Sequence, residues 1–114
     1  MTVDQINRLV VQALEDLKAI DIHTIDVSRL TSIADTMIFA SGRSSRQVKA
    51  LADNTLRVVK AEKITPVGVE GINQGEWALI DLGDVIVHIM QPAVRDYYQL
   101  EKLWTVDNTK YSTP

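Results

Sequence analysis

The stretch DTMIFAS followed by SGRSSRQVKALADNTLRVVKAEK constrains the fold of this chain more than any other part of it. Met37, Ile38, Phe39 and Ala40 form an unbroken apolar run, which suits a strand covered on both faces of a sheet. A glycine turn follows, and Ser44 with Gln47 has the spacing of a helix capping box. Val48, Leu51, Ala52, Thr55, Leu56 and Val59 then recur at three- and four-residue steps, the buried stripe of an amphipathic helix. TPVGVE reads as the next strand, with Pro66 best placed at an edge or a first position. Strand, helix and strand predict a right-handed crossover between parallel strands.

The flanking segments extend this unit. Thr2 and Gln5 form a second capping-box pattern, and Val3, Ile6, Leu9, Val10, Ala13, Leu14 and Leu17 make a helical stripe. HTIDVSRL alternates, with Ile25 and Val27 on one side, and the short link TSIAD makes it the hairpin partner of the apolar strand. EWALIDLGDVIVHIM reads as two strands, residues 76–81 and 84–90, closed by a type I turn with Gly83 in the left-handed region and a bulge. Pro92 opens a last helix over PAVRDYYQLEKLW. The expected order is α-β-β-α-β-β-β-α, a single α/β domain with a mixed sheet of about five strands packed with helices. The domain is expected over residues 1–104, with residues 105–114 as a polar C-terminal tail.

Composition excludes more than it identifies. At 114 residues the chain is long enough for one domain with a core of its own. Fifteen acidic and twelve basic residues give a net charge of -3, which disfavours naked nucleic acid or an anionic membrane as partner. The same balance fits a basic protein partner. Cysteine is absent, so disulfides, thiolate catalysis and cysteine-ligated zinc are excluded. The N-terminal segment carries charges every few residues and reads as neither a signal peptide nor a membrane span, so the cytoplasm is the expected location.

Candidate chemistry is sparse. Gly42, Ser44 and Arg46 stand where a strand meets a helix start, a place where backbone N–H groups hold phosphate, and Arg43 is beside them. The lysine and spacing of a P-loop are missing, and a capped turn explains the same residues. A nucleotidyltransferase would need a carboxylate pair for magnesium, whereas TPVGVEG supplies only Glu70, and a turn separates Asp81 from Asp84. His88 shares a strand face with Ile86 and Met90 and has no nucleophile motif beside it. Trp77 has the parity of Leu79 and Asp81. It is either a core residue needing an indole partner or an edge anchor rimmed by carboxylates. Tyr97, Tyr98 and Trp104 read as packing residues rather than a stacking platform.

Asp35, SGRSSRQVKA, VEG, EWALIDLGDVIVH and RDYYQLEKLW, in this order and spacing, resemble the ribosomal silencing factor family, also called the Iojap family. The similarity runs from the first helix to Trp104, with Met90 a departure where the family often carries an aromatic or bulkier apolar residue. The resemblance implies a fold like that of nucleotidyltransferases without their activity, and neither cofactor nor metal. It implies binding to the large ribosomal subunit through large-subunit ribosomal protein fourteen, blocked joining with the small subunit, and lowered translation under nutrient limitation. On that basis Glu70, Trp77, Asp81, Leu82 and Asp84 are expected to bind the partner, Trp77 and Leu82 as apolar anchors. Gly42, Ser44, Arg46, His88, Arg95, Tyr98 and Glu101 are expected to support that edge. A nucleotide-binding module or nucleotidyltransferase, an assembly factor for the large subunit, and a homodimer of the free protein stay open as alternatives.

Overall fold

The computed structural model describes residues 1–104; the expected tail, residues 105–114, lies outside the described residues. The chain forms α1 (Val3–Asp16), β1 (Ile20–Asp26), β2 (Thr36–Ser41), α2 (Ser45–Ala61), β3 (Gly68–Glu70), β4 (Trp77–Asp81), β5 (Val85–Met90) and α3 (Pro92–Tyr98). The five strands make one mixed sheet in the order β1-β2-β5-β4-β3. β2 and β5 run parallel, and the β1–β2, β4–β5 and β3–β4 pairs are antiparallel. β3 therefore has the direction of β2, as the crossover predicts, but β5 and β4 stand between them. Pro66 precedes β3, the edge strand, where its missing N–H breaks no ladder bond.

The apolar run and the second strand of the EWALIDLGDVIVHIM hairpin became the two central strands, β2 and β5, buried at every position. Alternate residues divide between two cores. On the first face, Ile38 and Ala40 of β2 join Val85, Val87 and Ile89 of β5 beneath α1 and α2. On the second, Met37, Phe39, Ile86 and Met90 pack with Val27, Ala34, Val94, Leu100 and Trp104. Burial of each such large side chain contributes about 1.5–3 kcal/mol before conformational entropy is set against it.

Both halves of the α1 capping box form, Gln5 N donating to Thr2 Oγ1 (3.2 Å) and Thr2 N to Gln5 Oε1 (2.8 Å). At α2 only one half does: Gln47 N donates to Ser44 Oγ (3.1 Å), while Gln47 Oε1 accepts from Arg43 N (2.7 Å). The Gln47 amide nitrogen is thereby free to reach the carbonyls of Leu17 and Lys18 just past α1. Asn54 adds a bond to the Ala13 carbonyl (2.9 Å), so polar groups as well as apolar stripes fix α1 against α2.

The last helix departs from expectation. Gln99 adopts a left-handed conformation (φ 50, ψ 42) and ends α3, and residues 100–104 are helical again beyond it. On an unbroken helix Arg95 and Glu101 would stand about 120° apart around the axis. The break folds the chain back and lets them meet.

Candidate functional site

Trp77 opens β4 opposite Met90 of β5. β3 pairs only with residues 79–81, so Trp77 lies beyond the reach of the edge strand. The turn after β3 crosses its backbone closely: Gly71 has φ +78, and a Cβ there would collide with the Trp77 carbonyl oxygen. The indole is half-buried on the second sheet face. Its Nε1 donates to His88 Nδ1 at 3.1 Å, and its ring lies 5.3 Å from that of Tyr98. His88 is 7% exposed and stacks on Phe39, centroids 4.8 Å apart and planes 7° off parallel. Burial lowers the His88 pKa from 6.5 to about 4. The ring is neutral at physiological pH, with Nδ1 as acceptor and the proton on Nε2. Trp77 thus combines the two readings open in the sequence: one edge of the indole is held by a core histidine, and the rest is offered outward.

Strand pairing gathers an acidic rim around it. Glu70 pairs with Leu79, and Gly68 with Asp81, so Glu70, Trp77, Leu79 and Asp81 share a face. Glu70, Gly71, Trp77 and Leu79 line a shallow slot of ≈ 250 Å³. Asp81 is half-buried, with one carboxylate oxygen accepting from Gly83 N (2.8 Å) across the turn, where Gly83 has φ 92. The Asp84 side chain is exposed, and its carbonyl accepts from Asp35 and Thr36 N–H. Leu82 corrects an expectation. It is 8% exposed and packs in the core beneath α1 and α2, because the turn points it to the first face, so it is no surface anchor. β4 itself is one strand in from the edge.

Leu79 was missed as a member of this face, and Tyr97, expected to be a packing residue, instead stands exposed beside Tyr98. Leu79 has the parity of Trp77, and Tyr97 is 81% exposed with its ring edge-on to Tyr98 (5.0 Å). A compositional signal was also available: from residue 64 to residue 94 there are four acidic side chains and no lysine or arginine. The site can receive apolar and cationic groups of a partner, and like charge would repel acidic ones.

Of the residues expected to support the edge, His88 and Tyr98 touch Trp77. Arg95 and Glu101 form a separate knot. The nearly buried Arg95 guanidinium makes two bonds to Glu101 and one to Ser41 Oγ (2.9 Å), and Glu101 also meets His23 Nδ1 (2.7 Å). The Arg95 hydrogen bond lowers the Glu101 pKa despite its partial burial. This knot ties residues 100–104 to β1 and β2, fixing the cover of the second core.

Gly42, Ser44 and Arg46 are brought together, but the backbone at Gly42 and the Ser44 hydroxyl serve the fold, while the Arg46 side chain is exposed. Gly42 N donates to the Met90 carbonyl, Arg43 N to Gln47, and a Cβ on Gly42 would lie 3.0 Å from Val48 N. Gly75 presses onto the start of α2 so closely that its Cβ would fall 2.6 Å from the Ser45 carbonyl oxygen. The turn after β3 therefore packs tightly against the flank of the first turn of α2. Among the described residues no group of three His, Asp or Glu side chains is placed to hold a metal ion.

Fold and site together define a small α/β domain with an acidic aromatic face beside a closed core, and with no metal cluster among the described residues. The profile described as ribosomal silencing factor during starvation matches residues 1–113. The ribosomal silencing factor of Chromobacterium violaceum is 51% identical over 91% of this chain and 85% of its own length. That of Haemophilus influenzae is 48% identical over 82% and 91%. A crystal structure of a Chromobacterium violaceum protein, also 51% identical, superposes with a TM-score of 0.90 over 91% of this chain and 87% of that one. This chain belongs to the ribosomal silencing factor family.

Proposed function

We propose that the protein binds the large ribosomal subunit through large-subunit ribosomal protein fourteen and prevents the small subunit from joining, lowering translation under nutrient limitation. The observation that carries this reading is the pairing of a half-buried Trp77, set by His88 and Tyr98, with a stretch of chain that has acidic and no basic residues. An aromatic anchor inside a polar rim is the usual form of a protein hot spot, and one-signed charge steers and orients an oppositely charged partner. Position alone then suffices for repression. The thinnest extent of the molecule is 21 Å, too thick to be enclosed between two surfaces that must touch. No catalytic step is required, and the cytoplasm of a bacterium is where such a factor meets its subunits.

A second reading is favoured by one relative: the mouse protein named mitochondrial assembly of ribosomal large subunit protein 1 is 32% identical over 86% of this chain. The same face could act on precursor particles. Co-sedimentation with purified large subunits, with small subunits titrated in, tests the first reading. Wild type is expected to pellet and to inhibit joining, and Trp77→Ala and Asp81→Lys to lose both while remaining folded. Binding without inhibition of joining favours assembly. No binding to either mature or precursor subunits refutes both.

A further inference from the structure

The net charge of -3 conceals two opposed regions. Residues 43–63 hold six of the twelve basic and two of the fifteen acidic side chains, so this segment carries +4 and the remainder -7. Most of that segment is α2. Arg46, Lys49, Arg57 and Lys60 are all exposed and fall within about 80° of one another around the helix axis. Fourteen positions separate the first from the last, a stripe about 21 Å long. Arg43 and Lys63 continue it at the two ends, and Asp53 is the one carboxylate within it.

Two observations set this stripe apart from an ordinary solvated helix face. Among the described residues, none of these cations stands in an ion pair; the two ion pairs found involve His23, Arg95 and Glu101. The Lys49–Asp53 and Asp53–Arg57 spacings would allow pairing, yet Arg57 bonds instead to Asn54 Oδ1 (2.6 Å). Second, the first turn of α2 holds Arg46 and no acidic residue, where the helix dipole disfavours positive charge. α1, by contrast, follows the usual rule with Asp4 in its first turn. The placement of Arg46 opposes the stability of its own helix, as a charge kept for an external partner would.

We infer that the outer face of α2, through Arg46, Lys49, Arg57 and Lys60, binds the phosphate backbone of RNA without reading its sequence. The stripe carries cations but no aromatic side chains, so it offers charge and not base stacking. It lies on the first side of the sheet and Trp77 on the second. A protein docked at Trp77 leaves α2 open, and the two contacts would add on a particle built of both protein and RNA. This inference does not depend on Trp77 being the docking anchor.

The test is fluorescence anisotropy of a labelled short RNA duplex with the full chain, from about 50 to 200 mM salt. With four phosphate contacts the log–log slope should lie near -3 to -4, an affinity loss of roughly a hundredfold over that range. The double variant Lys49→Gln with Arg57→Gln should bind more weakly, with a slope flatter by about 2. Asp53→Asn should bind more tightly than wild type, a gain that misfolding cannot mimic. Asp81→Lys, on the other face, should leave the neutralised variant's deficit uncorrected. Absence of binding at about 50 mM salt, or a slope unchanged in the double variant, overturns the inference. So does displacement of the RNA by equimolar polyglutamate, which would assign the stripe to an acidic protein instead.

Discussion

Acidification should destabilise this protein through one residue, His88, before its carboxylates contribute. In the unfolded chain the histidine takes up a proton near pH 6.5; in the fold, burial holds its pKa at about 4. Between these values the unfolded state binds more protons, so stability rises with pH across the window and is lost as pH falls through it. The displacement corresponds to about 3 kcal/mol in full, of which about 2 kcal/mol is lost between pH 6.5 and 4.5. Glu101 has a lowered pKa, and its contribution goes only below 4.5, the ordinary value of its carboxyl group. The upper window therefore isolates the histidine from the knot around Arg95. Urea unfolding at stepwise pH should give wild type a stability that falls steeply from pH 6.5 to 4.5. His88→Gln keeps an acceptor for the Trp77 N–H and cannot titrate, so its curve should be nearly flat there, whatever its stability at neutral pH. Parallel curves for the two proteins would mean that the buried imidazole does not govern the loss, and the reasoning from its burial would be wrong.

Leu82→Ala should lower stability by about 2–4 kcal/mol, as truncation in a packed core does, with partner affinity of the folded fraction unchanged; thermal melting beside a binding titration separates the two. Glu101→Gln should weaken the hold on residues 100–104, leaving the nearly buried Arg95 without its counter-charge at a cost of roughly 1–3 kcal/mol, less than for a fully buried pair because Glu101 is partly exposed. Hydrogen exchange should locate the loosening at residues 99–104 and along the His23 side of β1, sparing α2.

The fold was legible wherever one local signal had one physical cause. The unbroken apolar run became β2, the hairpin strand over residues 84–90 became β5, and two capping patterns marked the helix starts, because burial and orphan N–H groups act within a few residues. What failed depended on distant contacts. Nothing in PAVRDYYQLEKLW announces a break at Gln99, whose left-handed backbone is sustained by Glu101 reaching Arg95 and His23 across the fold. β1 begins at Ile20, earlier than its alternation suggested, because a register irregularity between Ile20 and His23 interrupts the alternating pattern. Leu82 shows the limit for the site: a turn residue between two carboxylates looks like a surface anchor until the hairpin's orientation is known. The parity of Trp77, Leu79 and Asp81 was readable, but not that β3 would stop short and leave Trp77 uncovered at its outer flank.

The unequal cover of the sheet explains why the aromatic face around Trp77 stays open. α1 and α2 together span the first face and seal every apolar residue that the central strands present to it. The second face is covered by the segment around Val27 and Ala34, a seven-residue helix, a left-handed break and a further helical turn, held by the Arg95–Glu101–His23 knot. Such a cover reaches Phe39 and Met90 but leaves Trp77 and Leu79 half-exposed, with Tyr97 and Tyr98 standing beside them. Extending the helix straight through Gln99 would carry Glu101 away from Arg95 and release Leu100 and Trp104 from the second core. The break that spoils the regular helix is therefore also what keeps that core closed while the aromatic surface stays open. A docking face placed there is rigid on one side, through His88 and Phe39, and free on the other, which is the arrangement a preorganised anchor needs to bind without first reorganising.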